Sequence, residues 1–164
     1  MKKNCTYFVL ITILLFIDQS AKVLVAQSIV PQDPIEIIPG FFNLVHIQNR
    51  GAIFGFFSKS GSPSVQFLLM VASLGAMFLV IYYFFKTPFS ETLQKTSLSL
   101  ILAGALGNLA DRIFRGYVID FLDFYVKEWH WPSFNVADSC VSIGAVLLLI
   151  ALFFRRNPQC SPSS

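Results

Sequence analysis

Residues 104–138 read GALGNLADRIFRGYVIDFLDFYVKEWHWPSFNVAD, and the rest of the chain is arranged around them. Four aspartates fall within this stretch: Asp111, Asp120, Asp123 and Asp138. Long apolar runs flank the stretch on both sides. Ionisable groups at the edge of a bilayer are energetically expensive and are usually retained for function. The four carboxylates are therefore the first candidates for the chemistry of the protein.

The composition indicates a membrane protein that crosses the bilayer several times. Of 164 residues, 55% are hydrophobic and only 13% are charged, and the mean hydropathy is +0.65. The net charge of +3 comes from dispersed basic residues, so nothing favours a nucleic-acid partner. The three cysteines have no spacing pattern, which predicts neither a disulfide framework nor a zinc site.

Four apolar segments are long enough to span a hydrocarbon layer of about 30 Å as helices that rise about 1.5 Å per residue. Their approximate bounds are residues 5–26, 64–85, 96–114 and 136–154. A charged start followed by an apolar run is also typical of a secretory signal. Asp18 and Lys22 interrupt the region where a cleavage site would form, so we interpret the first segment as a retained helix. We predict one integral membrane domain over residues 1–164, with a polar, disordered tail over 157–164.

The two longer connections differ in character. Residues 27–63 contain several prolines and glycines, and the runs Ile35–Ile38 and Phe41–Ile47 are rich in β-branched and aromatic residues. They predict a small β-rich cradle on the membrane surface. In residues 115–135, two aspartates lie three residues apart opposite apolar side chains, which predicts a short interfacial helix. The predicted fold class is an α-helical membrane protein with four transmembrane helices, an extracytoplasmic β-rich cradle and this short helix.

The charges predict an orientation. With four spans both termini lie on one side, and the twelve lysines and arginines divide equally between the two sides. The basic residues on the side of the termini lie in short segments next to helix ends. The positive-inside rule therefore predicts cytoplasmic termini. The aspartate cluster then faces outward, at the outer boundary between membrane and water.

Polar residues and a glycine recur on one face of the third helix: Gly104, Asn108, Asp111, Arg112 and Arg115. A polar face on a membrane helix must contact protein or water rather than lipid. Small residues spaced by four, Ala103 with Gly107 and Cys140 with Gly144, allow close helix packing. We therefore expect the third and fourth helices to pack together.

Asp120 and Asp138 are the candidate reactive pair. Asn135 precedes Asp138 by three residues, the spacing of a helix N-cap and an acidic N3 residue, so a structural cap alone explains both. Asp120 has no such explanation. If Asp120 and Asp138 meet in space they share a proton, because two close carboxylates cannot both ionise cheaply. One then deprotonates a water while the other protonates, or donates a hydrogen bond to, the carbonyl under attack. Asp111 remains a competing candidate.

The sequence resembles the lipoprotein signal peptidases (signal peptidase II) across almost the whole chain. Five ordered motifs carry the resemblance: DQSAK at 18–22, NRGAIFG at 49–55, GNLADR at 107–112, VIDFLDF at 118–124 and FNVADS at 134–139. Ile53 stands where the family pattern usually has alanine, a mild departure. The resemblance implies a four-helix membrane aspartyl peptidase of the bacterial cytoplasmic membrane. It implies cleavage of prolipoprotein signal peptides before a cysteine that already carries diacylglyceryl.

The resemblance also implies roles for particular residues. Asp120 and Asp138 match the catalytic pair of the family. The supporting or substrate-binding residues would be Asn49, Gly51, Asn108, Asp111, Arg112 and Asn135. Asp18 and Lys22 match a pair usually taken as structural. No metal and no cofactor are implied.

The expected partners are lipid-modified prolipoproteins and membrane lipids, with no nucleic acid, and the expected state is a monomer. A small proton-coupled transporter subunit that uses the same carboxylates is the alternative. Such a transporter should carry its acids near mid-membrane and often has an internal repeat. Here the acids cluster at one face and no repeat is evident, so the peptidase is preferred.

Overall fold

The computed structural model describes residues 4–31, 33–50 and 63–154, and for residues 63–67, 69 and 70 it describes the backbone alone. Helices lie at all four positions where apolar segments predict them: α1 (Cys5–Ser28), α2 (Pro63–Lys86), α3 (Thr92–Phe114) and α4 (Val136–Phe153). In the described part of the chain, α1, α3 and α4 are long and apolar enough to cross a membrane. In α2 the described apolar helix is Val71–Lys86. The division into one domain with the predicted spans stays a prediction.

The described strands form a four-stranded antiparallel sheet in which neighbours follow chain order. The strands are β1 (Ile35–Ile38), β2 (Phe42–Asn49), β3 (Val118–Val126) and β4 (Trp129–His130). The β-rich prediction for the first connection is confirmed within its described residues. The structure corrects the prediction of a short interfacial helix in residues 115–135, because the part that contains both aspartates is the strand β3. The segment is rich in β-branched and aromatic residues, and its backbone pairs with β2.

The strand conformation changes where the two aspartates of this segment point. Side chains alternate between the faces of a strand, so Asp120 and Asp123, three apart, lie on opposite faces. Asp123 pairs in register with Asn43, while Asp120 lies opposite Ile47. The apolar residues Ile119 and Phe121 pack against Val25 and Ile29 at the end of α1. The sheet therefore holds Asp120 over the same end of the helical bundle where α4 begins.

Glycines allow α3 to approach its neighbours closely. A Cβ at Gly104 would overlap the backbone oxygen of Ala137 in α4, and a Cβ at Gly144 would lie 2.8 Å from the backbone oxygen of Ser97 in α3. The predicted contact between α3 and α4 is therefore confirmed. Both Gly104 and Gly107 of α3 lie close to Ala137 of α4. A Cβ at Gly107 would lie nearest, at 2.6 Å, to a carboxylate oxygen of Asp18 in α1.

A buried lysine closes the opposite end of the bundle. Lys95, in the first turn of α3, is 2% exposed, and its Nζ donates to the side-chain oxygen of Asn4 at 2.8 Å. Its ammonium lies 4.4 Å from the ring centroid of Phe89, 4.8 Å from that of Phe84 and 5.6 Å from that of Tyr7. Cation–π contacts of this kind stabilise a desolvated charge. Lys95 thus joins the starts of α1 and α3 to the end of α2, away from the aspartates.

Candidate active site

Asp120 lies on β3 with only 4% of its surface exposed. Its two carboxylate oxygens accept from different amides. Asn49 Nδ2 donates to Asp120 Oδ2 at 2.9 Å, and Asn135 Nδ2 donates to Asp120 Oδ1 at 2.7 Å. The carboxylate is thus held between the end of β2 and the start of α4.

Asp138 lies in the first turn of α4, where Asn135 is the N-cap. The capping box predicted by their spacing is present: Asp138 N donates to Asn135 Oδ1 at 2.9 Å, and Asn135 N donates to Asp138 Oδ2 at 3.2 Å. Asn108 Nδ2, from α3, donates to Asp138 Oδ1 at 2.8 Å. Asn135 is therefore more than a cap, because the same side chain also binds Asp120.

The two carboxylates form one electrostatic unit through Asn135. Burial raises the pKa of Asp120 to about 6 from a usual 3.8, although the hydrogen bond from Asn49 opposes the change. The negative charge of Asp138 also raises the pKa of Asp120, while the hydrogen bond from Asn135 and the charge of Lys22 lower it. A carboxyl group with such a pKa holds a proton near neutral pH far more often than an exposed aspartate does. The geometry thus places a carboxyl group with a raised pKa in the same hydrogen-bond network as a second carboxyl group.

Asp111 lies behind this pair and is fully buried. Lys22 Nζ lies 2.9 Å from Asp111 Oδ2, and Arg115 pairs with Asp111 Oδ1. Gln19 Nε2 also donates to Asp111 Oδ1, at 3.2 Å. Asp111 is thus paired with two cations, whereas the side-chain donors to Asp120 are the amides of Asn49 and Asn135.

Asp18 and Lys22 join α1 to the site. Their ion pair, at 2.8 Å, is buried on both sides, as the i, i+4 spacing predicts. Asp18 Oδ1 also accepts from the backbone N of Ala137 at 2.9 Å, so this carboxylate binds the N-terminus of α4. Lys22 Nζ donates to Asn108 Oδ1 at 3.0 Å, which connects the ion pair to the residue that holds Asp138.

Two of the predicted site residues, Gly51 and Arg112, are not among the residues that hold the aspartates in the described part of the chain. Gly51 lies outside the described residues. The side chain of Arg112 makes no hydrogen bond or ion pair within the described ranges 4–31, 33–50 and 63–154, and the arginine that pairs with Asp111 is Arg115. The i, i+4 spacing of Asp111 and Arg115 is a signal from which this pair can be predicted. The sequence analysis assigned no role to Gln19, although it lies within the motif DQSAK at 18–22.

Amide-held, buried carboxylates at one end of a bundle of apolar helices are the arrangement of an acid–base hydrolase embedded in a membrane. Within the described residues, no three histidine, cysteine, aspartate or glutamate side chains converge as a metal site would require.

Comparison with known proteins identifies the family. The profile of the family described as Signal peptidase (SPase) II matches residues 10–154. The lipoprotein signal peptidase of Desulforapulum autotrophicum is 44% identical over 150 residues, which cover 90% of this chain and 91% of that protein. That of Syntrophus aciditrophicus is 41% identical over 162 residues, covering 97% and 99%. The chain belongs to the signal peptidase II family.

A solved structure agrees with this assignment. A bacterial membrane enzyme, 30% identical, superposes with a TM-score of 0.79 over 97% of this chain and 94% of its own. The family and the apolar helices make the chain a multi-pass bacterial membrane protein and a peptidase. The alternative of a proton-coupled transporter subunit finds no support among these relatives.

Proposed function

We propose that this peptidase removes the signal peptide of prolipoproteins by cleaving before a diacylglyceryl-modified cysteine, with Asp120 and Asp138 as the catalytic pair. Its curated relatives bear the name lipoprotein signal peptidase, which supports the substrate class. The observation that supports the pair is the side chain of Asn135. It donates to Asp120 Oδ1 at 2.7 Å while its oxygen accepts from the backbone of Asp138 at 2.9 Å.

The reaction follows from the different surroundings of the two carboxylates. Asp138 lies at the N-terminus of a helix, where the unpaired N–H groups favour negative charge. Asp120 is buried in β3, and the pKa of its carboxyl group is raised to about 6. In the proposed mechanism Asp138 takes a proton from a water, whose oxygen bonds to the scissile carbonyl carbon. Asp120 donates its proton to the carbonyl oxygen. The proton held by Asp138 then goes to the leaving amine as the C–N bond breaks. One hydroxyl group of the tetrahedral intermediate returns its proton to Asp120 as the C=O bond re-forms.

The remaining residues of the site hold this pair. Asn49, Asn108 and Asn135 place an amide donor on each carboxylate and so restrict its orientation. Asp111, with its cationic partners, ties α3 to α1, and Asp18 ties α1 to α4. Arg112 and Gly51 are proposed to bind substrate, on the strength of the matched motifs. The proposed mechanism uses no metal and no cofactor.

The proposed location is the bacterial cytoplasmic membrane, with cytoplasmic termini and the active site at the outer face. The distribution of basic residues supports this orientation. The enzyme would act as a monomer in contact with membrane lipids.

The test is the cleavage of a purified prolipoprotein in detergent, with its cysteine either carrying diacylglyceryl or unmodified. Only the lipid-modified precursor should be cut, and only at the bond before the cysteine. Asp120→Asn and Asp138→Asn should each reduce the rate by about 10²–10⁴-fold while the protein stays folded, since an amide can neither take nor share the proton. Near-normal turnover in either variant contradicts the assignment of the pair. Equal cleavage of both precursors contradicts the substrate.

A further inference from the structure

Lys22 has more partners than an ion pair at a helix end requires. Its side chain has no exposed surface, and its Nζ lies 2.8 Å from Asp18 Oδ2, 2.9 Å from Asp111 Oδ2 and 3.0 Å from Asn108 Oδ1. A lysine ammonium has three hydrogens to donate and accepts none. The two carboxylates neutralise its charge, and the third hydrogen is directed at an uncharged amide. That amide belongs to the side chain that holds Asp138.

The contact with Lys22 determines which way the amide of Asn108 points. Because the ammonium only donates, the atom of Asn108 that faces it must be the oxygen. The NH₂ group then faces Asp138 Oδ1, to which it donates at 2.8 Å. In the flipped amide, an NH₂ group would face the ammonium and an oxygen would face a carboxylate, and both contacts would be repulsive. Asn135 Nδ2, at 3.4 Å from Asn108 Oδ1, favours the same orientation only weakly.

The surrounding charges limit what Lys22 can affect. Asp18 and Asp111 face it from α1 and α3, and Arg115 lies beyond Asp111. On the other side lies the catalytic pair. The pKa of Asp120 is raised mainly by burial, and the positive charge of Lys22 acts in the opposite direction. Loss of this charge would therefore raise the pKa of Asp120 further.

From these contacts we infer that Lys22 is a positioning residue for catalysis, which orients the Asn108 amide so that it donates to Asp138. This inference rests on the proposed catalytic pair and goes beyond a structural role for the ion pair. Lys22 does not touch the reacting atoms. It acts through Asn108, and its charge acts on the pair at longer range.

The experiment compares Lys22→Met with Lys95→Met. Lys95 is the matched control because it is also buried and also donates to an asparagine side chain. It lies thirteen residues before Asn108 on α3, about 20 Å away at 1.5 Å per residue. Both variants should lower the melting temperature. Only Lys22→Met should lower kcat per folded enzyme, by about 10- to 100-fold, the range expected for a lost hydrogen bond to a charged group. Only Lys22→Met should move the pH profile of kcat/KM to higher pH, and Lys22→Arg should restore most of the loss.

A double-mutant cycle tests the route through Asn108. If Lys22 acts by orienting Asn108, then Lys22→Met combined with Asn108→Ala should be about as slow as Asn108→Ala alone. Multiplied losses would overturn the inference. So would a Lys22→Met enzyme that differs from Lys95→Met in neither kcat nor pH profile. If Lys22→Met does not fold, Lys22→Gln takes its place, and a Lys22→Gln enzyme that matches Lys95→Met in both kcat and pH profile is the refuting result. Failure of the catalytic pair itself would show separately, as activity retained in Asp120→Asn or Asp138→Asn.

Discussion

Replacing Asp120 with asparagine is expected to stabilise the folded protein at neutral pH, even though it removes activity. Burial raises the pKa of this carboxyl group to about 6, against 3.8 for an ordinary aspartate. Between these two values the folded protein binds more protons than the unfolded chain does. Stability therefore falls as the pH rises through this window, and it stays at the lower level above pH 6. The asparagine variant has no charge at this position and should not show the fall.

The size of the effect follows from the two pKa values. The gap between 3.8 and about 6 corresponds to about 3 kcal/mol of unfolding free energy, at about 1.4 kcal/mol for each pH unit. Of this, about 2 kcal/mol lies between pH 4.5 and pH 7.5. Asparagine offers one acceptor where Asp120 offers two, to Asn49 and Asn135, and the lost hydrogen bond costs about 1 kcal/mol at any pH. The quantity to measure is therefore the difference in unfolding free energy between Asp120→Asn and the wild type, and how this difference changes with pH.

The assay is equilibrium unfolding in mixed micelles at the two pH values, for the wild type and for Asp120→Asn. Asp33→Asn, at an exposed carboxylate in the α1–β1 connection, is the control for loss of an aspartate outside the site. The variant should gain about 2 kcal/mol relative to the wild type on going from pH 4.5 to pH 7.5. A stability difference that is the same at both pH values would refute the reasoning. It would mean that the ionised carboxylate is not costly in its surroundings.

Three further predictions concern packing, the ion pair and metal dependence. Gly104→Ala should lower the unfolding free energy by about 1–3 kcal/mol, because the new Cβ would overlap the backbone oxygen of Ala137, whereas Gly75→Ala, with nothing within 4 Å, should not. Asp18→Ala should lower the unfolding free energy by about 3–5 kcal/mol, because the buried ammonium of Lys22 loses one of its two carboxylate partners. The initial rate of cleavage at low temperature should change much less. A stable but inactive Asp18→Ala protein would instead move Asp18 into the active site. Activity should survive EDTA, because the proposed acid–base pair works without a metal; loss in EDTA that a divalent ion restores would disprove this.

Local patterns in the sequence were sufficient for much of the fold. The apolar runs located all four helices, and the β-branched run Ile35–Ile38 located β1 to the residue. The capping box of Asn135 and Asp138 was predictable because its two hydrogen bonds join residues three apart. Features of this kind depend on neighbours along the chain, so a single sequence contains them. The family motifs added the roles, which spacing alone did not supply.

Only the tertiary structure decided which surfaces meet. Residues 118–126 are a strand because they pair with β2, and the Asn49–Asp120 contact joins residues 71 apart in the chain. The spacing of the two aspartates in that segment fitted a helix equally well. Likewise, Lys22 reaches Asn108 across 86 residues, and no pattern along α1 or α3 predicts that contact. Periodicity shows that a helix has a polar face, but burial against a particular partner determines which donor satisfies which carboxylate.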